Sequence, residues 1–276
     1  MSGYDEHEPA PRVLGAVTVL LTAAAGALNV VTFFSFNQVF ASTMSGNLVL
    51  IGLAIAQRDP WQALDNVSAI GGYCLGLILG TLLCVRMMRR FPWRNAVGAT
   101  LTFELLVLVV GGTYLHSRDV HDGGDGFVLA NLVLLVVGSG IAMGIQAAAA
   151  RYIGPAGTPT SFLSGTVTNW VADFADGRTP TVLSWNAPLR ILAMVVGAAG
   201  NGLVQEWAPG YSYIAPIVLV AVAVLFMVVV VRTNHESLFG GDPQHGDTTA
   251  ETRPAEIRRP GPVGADPDPT PADERS

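Results

Sequence analysis

The chain has 276 residues, of which 50% are hydrophobic and 13% are charged, and its formal net charge is −6. Soluble globular domains carry about a quarter charged residues, so this composition excludes an ordinary soluble protein and indicates one that spans a membrane. The lack of a basic stripe also argues against a nucleic-acid-binding protein.

Six apolar runs are long enough to cross a bilayer, which takes about 20 residues. They cover residues 13–36, 67–87, 95–115, 127–150, 187–206 and 211–231. Two further apolar pieces, 45–56 and 164–175, have about half the length that a span needs, and each follows a polar or Gly/Pro-rich connector. The sequence therefore predicts an all-α integral membrane protein with six transmembrane helices and two short half-helices.

The predicted organisation has five parts. They are an N-terminal tail (1–12), a first membrane repeat (13–115), an external loop (116–126), a second membrane repeat (127–232) and a disordered C-terminal tail (233–276). The C-terminal tail is rich in Pro, Gly, Asp and Glu, a composition that cannot bury a core. The N-terminal tail is acidic and lacks the basic start of a signal peptide, so we expect the first apolar run to be retained.

Arginines set the predicted orientation. Four lie in the connection between the second and third full runs: Arg86, Arg89, Arg90 and Arg94. By the positive-inside rule this connection faces the cytoplasm. Arg178, Arg190 and Arg232 face the cytoplasm as well if both short pieces enter the membrane and return on the same side. We therefore expect two re-entrant half-helices and a multi-pass protein of the bacterial inner membrane with both termini cytoplasmic.

The two halves of the chain share a pattern. AGALN at 25–29 is followed by MSGN at 44–47, and MGIQ at 143–146 is followed at a similar spacing by LSGT at 163–166. This pairing matches Asn29 with Gln146. Each half then holds an odd number of spans, so the sequence predicts two inverted repeats. Inverted repeats with broken helices are typical of membrane transporters, whose site lies at the repeat interface near the midplane.

Two segments, GALNVVTFFSFNQVFASTMSGNLVLIGLA and GIQAAAARYIGPAGTPTSFLSGTVTN, resemble the YoaK-like family of bacterial membrane proteins, DUF1275, over roughly residues 13–232. The resemblance implies six spans and brings no specific activity. Family members carry an acid at the position of Asn29, threonines at Ser45 and Ser164, and an asparagine at Ala147. Asn29 keeps a hydrogen-bonding group but removes a titratable one, so we do not expect a proton relay there.

The N-termini of the two half-helices form the predicted solute site. A helix N-terminus leaves backbone N–H groups unpaired and carries a partial positive charge. If the two N-termini meet near the membrane centre, they can bind an anion, the carboxylate of a zwitterion or a neutral polar solute. The predicted binding residues are Asn29, Thr43, Ser45, Gly46, Asn47, Glu104, Gln146, Ser164, Gly165 and Thr166. The alternative is that these residues only cap two broken helices against neighbouring spans.

Glu104 lies near the middle of the third full run. An acid inside a membrane is costly, so it indicates a coupling proton site or a substrate contact; the alternative is a protonated side chain bonded to a facing helix. The other intramembrane amides, Asn131 and Asn201, are more typical of hydrogen bonds between helices.

Small residues repeat every four positions in one helix of each half. Gly72, Gly76 and Gly80 form the first row, and Ala193 and Gly197 belong to the second. Such rows permit close helix approach. We expect them either to seat one repeat against the other or, for the first row, to form a homodimer interface.

The residues argue against an enzyme. Ser45 has no intramembrane imidazole to activate it, because none of the five histidines lies in a predicted span: His7, His116, His121, His235 and His245. The acidic outer loop has no metal-binding spacing. Cys74 and Cys84 are about 15 Å apart along one helix, too far for a disulfide, and we expect them to be inert. We predict no catalytic residue, metal or cofactor.

The sequence thus predicts a transporter or facilitator of a small polar or anionic solute, with its site between two half-helix N-termini near the membrane centre. The alternative is a scaffold or sensor that binds another membrane protein through its Gly-rich helix faces and transports nothing.

Overall fold

The computed structural model describes residues 11–117, 125–153, 163–176 and 186–239. In these ranges the chain is entirely helical, with one short 3₁₀ turn (Pro209–Tyr211) and no strand. The helices are α1 (Pro11–Ser35), α2 (Met44–Gln57), α3 (Pro60–Met88), α4 (Trp93–Ser117), α5 (Asp125–Ala150), α6 (Leu163–Ala175), α7 (Asn186–Trp207) and α8 (Ile214–Phe239). The predicted all-α class is confirmed.

Six of the helices are long and apolar enough to cross a membrane. The spans are Leu14–Ser35, Pro60–Met88, Trp93–Leu115, Leu132–Ala150, Ala187–Trp207 and Pro209–Val229. They match the six predicted runs in order. The two remaining helices, α2 and α6, have 14 and 13 residues, as expected for half-helices. Their re-entrant path stays a prediction.

The start of α3 lies seven residues before the predicted start at 67. Asp59 is the N-cap residue: its carboxylate accepts hydrogen bonds from the backbone N–H groups of Trp61 (3.1 Å) and Gln62 (3.0 Å). Pro60 occupies the first turn, where its missing N–H is not needed. The first part of α3 contains polar residues, so the apolar runs alone did not predict it.

At the other end of the chain, α8 continues through Phe239, past the predicted end of the second repeat at 232. At the start, α1 begins at Pro11, within the predicted tail. Residues 1–10, 118–124 and 240–276, which hold most of the two predicted tails and of the external loop, lie outside the described residues.

Glycines bring the backbones of α3 and α5 together. A Cβ atom at Gly72 would lie 2.5 Å from the carbonyl oxygen of Val137, and one at Gly140 would lie 2.7 Å from that of Ala69. A Cβ at Gly76 would overlap the backbone of Ile141 in the same way. Small residues permit this approach, which maximises van der Waals packing between membrane helices.

The α1–α7 interface uses the same kind of contact. A Cβ at Gly26 would overlap the backbone of Met194, and one at Gly197 would overlap that of Ala23. One turn further along, Asn201 Nδ2 donates a 2.8 Å hydrogen bond to the carbonyl oxygen of Ala27.

These two interfaces have the same register. A residue of α3 corresponds to the residue of α7 whose number is higher by 125, so Gly72 corresponds to Gly197 and Gly76 to Asn201. A residue of α5 corresponds to the residue of α1 whose number is lower by 114. Val137, Gly140 and Ile141 thus correspond to Ala23, Gly26 and Ala27. The contacts correspond pair by pair. In both interfaces the residue numbers of the two helices rise together, so each pair of helices is parallel.

The other helix pairs also correspond when the helices of the two halves are exchanged. The α3–α5 pair corresponds to α7–α1, the α4–α5 pair to α8–α1, and the α2–α3 pair to α6–α7. The helix contacts are therefore largely preserved when α1–α4 take the places of α5–α8.

This register changes one pairing that we predicted from motifs. Asn29 was matched with Gln146, but the interface register places Met143 opposite Asn29 and Thr32 opposite Gln146. Met143 and Gln146 are three residues apart, which is close to one helical turn, and short motifs do not distinguish pairings that differ by one turn.

The first glycine row is occupied within the chain. Gly72, Gly76 and Gly80 are buried, and their nearest neighbours lie in α5. They seat a helix of the first half against a helix of the second, which is one of their two predicted roles. A homodimer through these glycines would require α3 to leave α5.

The main hydrophobic core lies largely among α1, α4, α5 and α8. Its fully buried side chains include Val17, Leu21, Val97, Leu101, Met143, Val220 and Met227.

Candidate functional site

The polar segment after α1 folds back against the helix it has just left. Asn29 Nδ2 donates to Ser42 Oγ at 2.8 Å and to Thr43 Oγ1 at 3.3 Å, and Asn29 Oδ1 accepts from the backbone N–H of Ser42 at 2.9 Å. Asn29 and Ser42 are both buried. The chain has therefore returned to the level of Asn29 when α2 begins.

This contact sets the depth at which α2 begins. Ser35, the last residue of α1, is about 9 Å along the helix axis from Asn29. The start of α2 is thus displaced from the end of a transmembrane helix toward the middle of the span. Irregular backbone is tolerated inside a membrane only where protein or water satisfies its polar groups, and Asn29 satisfies those of Ser42.

Asn47 closes the same connection from within α2. Its Nδ2 donates to the carbonyl oxygen of Phe40 at 2.7 Å, and its Oδ1 accepts from the Phe40 backbone N–H at 2.9 Å. The side chain is fully buried. Gly46 lies beside it, where a Cβ would be 3.0 Å from the Phe40 ring. Both functional groups of the Asn47 amide thus hold the loop, and a solute contact through this amide would require the pair to open.

The first turn of α2 has no side-chain cap. Thr43 is the N-cap residue (φ −98°, ψ 76°), but its hydroxyl bonds to Asn29 instead of a backbone N–H of α2. The N–H groups of Met44, Ser45 and Gly46 have no acceptor within the helix, and they carry the positive end of the helix dipole. The side chain of Ser45 is exposed. These three N–H groups are the part of the predicted site that the helix leaves without an acceptor.

A second polar contact joins the loop to α3. Asn37 and Gln38 have left-handed backbone conformations (φ 54° and 63°), which turn the chain back toward α2. Asn37 Nδ2 donates to Asp65 Oδ2 at 3.0 Å. Asp65 is buried. Sequence reasoning missed Asp65 because it lies before the predicted span; the Asp59–Pro60 helix start would have revealed it.

The structure shows less of the second predicted N-terminus. Gly165 is exposed at the start of α6, and the side chains of Ser164 and Thr166 lie outside the described residues. Helix α6 packs on α7, and α2 packs on α3; α2 and α6 have no extensive contact with each other in the described part of the chain. The meeting of the two N-termini stays a prediction.

Gln146 and Asn201 both hydrogen-bond to the backbone of α1. Gln146 Nε2 donates to the carbonyl oxygen of Leu21 at 3.0 Å, and Asn201 donates to that of Ala27. Both amides are buried. They tie α5 and α7 to α1, which is the interhelical role expected for Asn201.

Glu104 lies apart from these contacts, midway along the span Trp93–Leu115. Its side chain is fully buried, and neither carboxyl oxygen has a hydrogen-bond partner among the described residues. The bond to a facing helix that we considered for this residue is therefore not found in that part of the chain.

A cavity of about 380 Å³ lies between α1, α4, α5 and α8. Its lining is almost wholly apolar and includes Leu28, Val31, Leu108, Leu135 and Ile217. The lining comes from the last parts of α1 and α4 and the first parts of α5 and α8, so the cavity lies toward one end of these four helices. Sequence reasoning did not predict it, because an apolar lining has the same composition as an apolar core.

Comparison with known proteins agrees with these observations. The family described as "Protein of unknown function (DUF1275)" matches residues 17–230, which include all or most of each of the six spans. The UPF0700 transmembrane protein YoaK of Bacillus subtilis (strain 168) is 30% identical over 209 residues, which are 73% of this chain and 88% of that protein. No solved structure matches the chain.

Proposed function

Because this chain belongs to the DUF1275 family and has six helices that can span a membrane, we propose that it is a transporter or facilitator of a small polar or anionic solute. The observation that carries this proposal is the uncapped start of α2, which Asn29 holds away from the end of α1 and toward the membrane centre.

The chemistry of that helix start suits an anion or the carboxylate of a zwitterion. Three backbone N–H groups and the positive end of a helix dipole point toward the space before α2. Half-helix N-termini serve this purpose in known transporter folds. By its repeat position, Ser164–Gly165 at the start of α6 is the counterpart of Ser45–Gly46 and supplies the other side of the proposed site.

The helix directions support the inverted arrangement. Parallel α1 and α7 require that α2 and α6 either both cross the membrane or both fail to cross it. With 14 and 13 residues they are about 20 Å long, shorter than the ~30 Å hydrocarbon core, which favours two re-entrant helices. In that case α1 and α5 run in opposite directions. With the arginines inside, both termini are cytoplasmic.

Cysteine labelling tests this topology. We expect cysteines introduced at Asp59 and at Arg178, which lies outside the described residues, to react with an impermeant maleimide from opposite sides of the membrane. Modification of both from the same side would contradict the inverted arrangement.

A proline substitution tests the proposed site. Met44→Pro removes one first-turn N–H without breaking α2, because proline suits the first helical position. Met44→Leu keeps that N–H and is the matched control. We expect the Kd for the best ligand in a thermal-shift screen of polar anions and zwitterions to rise about tenfold in Met44→Pro, since a hydrogen bond to a charged group contributes about 1.5–3 kcal/mol.

The control should bind the same ligand as the wild type does. If no polar or anionic solute stabilises the wild type, or if both variants bind equally, α2 does not hold the solute.

The scaffold alternative gains no support from the Gly-rich face of α3, because α5 already covers it.

A further inference from the structure

The cavity lies near the buried acid of α4, although that acid is not among its lining residues. Helix α4 lines it with residues from Leu106 to Leu115. Leu108, one of the lining residues, is four residues after Glu104, so both lie on the same face of α4 with a rise of about 6 Å between them. Glu104 therefore lies one helical turn from the cavity, at its mid-membrane end.

Glu104 has no positive partner among the described residues. Both of its oxygens are buried without a hydrogen-bond partner in this part of the chain, and none of the residues that line the cavity is basic. An unpaired carboxylate at this depth costs several kcal/mol. A cation that entered through the cavity would remove that cost.

We propose that the cavity and Glu104 together bind a hydrophobic organic cation, with its apolar body against the leucine- and valine-lined walls and its ammonium group on the Glu104 carboxylate. The volume of about 380 Å³ falls within the range of about 300–1,000 Å³ typical of small-molecule sites. This site is separate from the N–H groups of α2, which suit the opposite charge.

The positions of α1 that correspond to the α5 part of the cavity lining are buried in the core. The interface register converts three α5 residues that line the cavity, Leu135, Gly138 and Ser139, into Leu21, Ala24 and Ala25 of α1. All three of these counterparts are fully buried in the main core. The lining positions of α5 therefore have no cavity-lining counterparts at these three positions of α1.

Two probes of equal shape test the proposal. Benzyltrimethylammonium carries the positive charge, and neopentylbenzene is its neutral isostere. We expect calorimetry on the purified protein to show about 30-fold tighter binding of the cation, because a desolvated charge pair contributes about 2 kcal/mol or more. Equal binding would identify a pocket for lipid chains and overturn the proposal.

Variants separate the charge from the cavity. Glu104→Gln should remove the preference for the cation and leave binding of the neutral probe unchanged, and Glu104→Asp should keep the preference. Gly138 lines the cavity, and a Cβ there would meet no atom within 4 Å, so Gly138→Leu fills the space without a backbone clash. We expect this variant to bind neither probe.

Gly98→Leu is the matched control for the cavity variant. Gly98 lies on α4 outside the cavity lining and also has open space at its Cβ, so this variant should bind both probes normally. Cation preference that survives in Glu104→Gln, or binding that survives in a folded Gly138→Leu, would each overturn the proposal. The anion screen with Met44→Pro reports on α2 separately, so either site can fail alone.

Discussion

The α3–α5 and α1–α7 interfaces have the same register but different side chains. In α3–α5, glycines occur on both helices, with Gly76 on one and Gly144 on the other, and backbone lies against backbone. In α1–α7, Gly26 and Gly197 keep this contact, but Asn201 takes the place of Gly76 and reaches Ala27 through its side chain. One interface depends on the absence of side chains, whereas the other also includes a hydrogen bond.

The electrostatics of the two halves differ more than their packing. The same register that relates Gly72 to Gly197 relates the buried Asp65 of α3 to the buried Arg190 of α7. Equivalent positions in the two halves therefore carry opposite charges. The helix packing is shared between the halves, while the charge of these buried side chains is not.

The largest expected effect comes from placing the side chain of one interface in the other. In Gly76→Asn, the new Cβ would overlap the Ile141 backbone, which cannot move without separating α3 from α5. We expect a loss of about 3 kcal/mol or more of unfolding free energy and little folded protein on size-exclusion chromatography.

The neighbouring glycine gives the control for this variant. A Cβ at Gly71 meets no atom within 4 Å, so Gly71→Asn should fold normally. A Gly76→Asn protein with wild-type thermal stability would contradict the close approach of α3 and α5.

An intermediate effect is expected at Asn29. Its side-chain amide bonds to Ser42 and Thr43, whereas its counterpart in the second half, Met143, lies in the hydrophobic core. Asn29→Leu leaves the buried N–H of Ser42 without its acceptor, and such a group costs about 1–3 kcal/mol. Thermal unfolding should show a clear decrease in Tm. Asn29→Asp keeps the acceptor oxygen and should lose less.

Met143→Leu is the matched change in the second half and should cost under about 1.5 kcal/mol. If it is as destabilising as Asn29→Leu, the amide contact does not distinguish the halves.

The smallest expected effect is at Asn201. Asn201→Ala removes the hydrogen bond to Ala27 but leaves Gly26 and Gly197 in contact with the opposite helix. Hydrogen bonds between membrane helices contribute about 0.6 kcal/mol on average, so we expect a loss of that order in equilibrium unfolding. A loss as large as that of Gly76→Asn would show that the α1–α7 interface depends on its amide.

Long apolar runs predicted all six spans, because span length is fixed by the thickness of the bilayer. The polar breaks before 45 and 164 likewise predicted the two short helices. The start of α3 was not predicted, because the capping carboxylate of Asp59 marks a helix start that is not part of an apolar run. The register between the halves was also displaced by one turn, since packing and not motif identity decides which glycine faces which backbone.

The site was predictable in its residue types but not in its contacts. Asn29, Thr43 and Asn47 were identified as polar residues in an apolar segment, and Asn29 does bond to Thr43. The hydrogen bonds between the Asn47 amide and the Phe40 backbone depend on the shape of the loop, which the sequence does not specify. The cavity depends on how side-chain volumes fill the space among four helices. The position of Glu104 in its span was predictable, but its lack of a hydrogen-bond partner among the described residues was not.

The first helix of each half packs mainly on helices of the other half, and this determines how the chain can be divided. Helix α1 packs extensively on α7 and α8 but not on α3 or α4, so the first half alone leaves most of the packing surface of α1 without a partner. A chain severed between α4 and α5 should therefore give two fragments that are each unstable alone. Expressed together, they should reassemble into a working protein, with α1 and α3 each finding its partner on the other fragment.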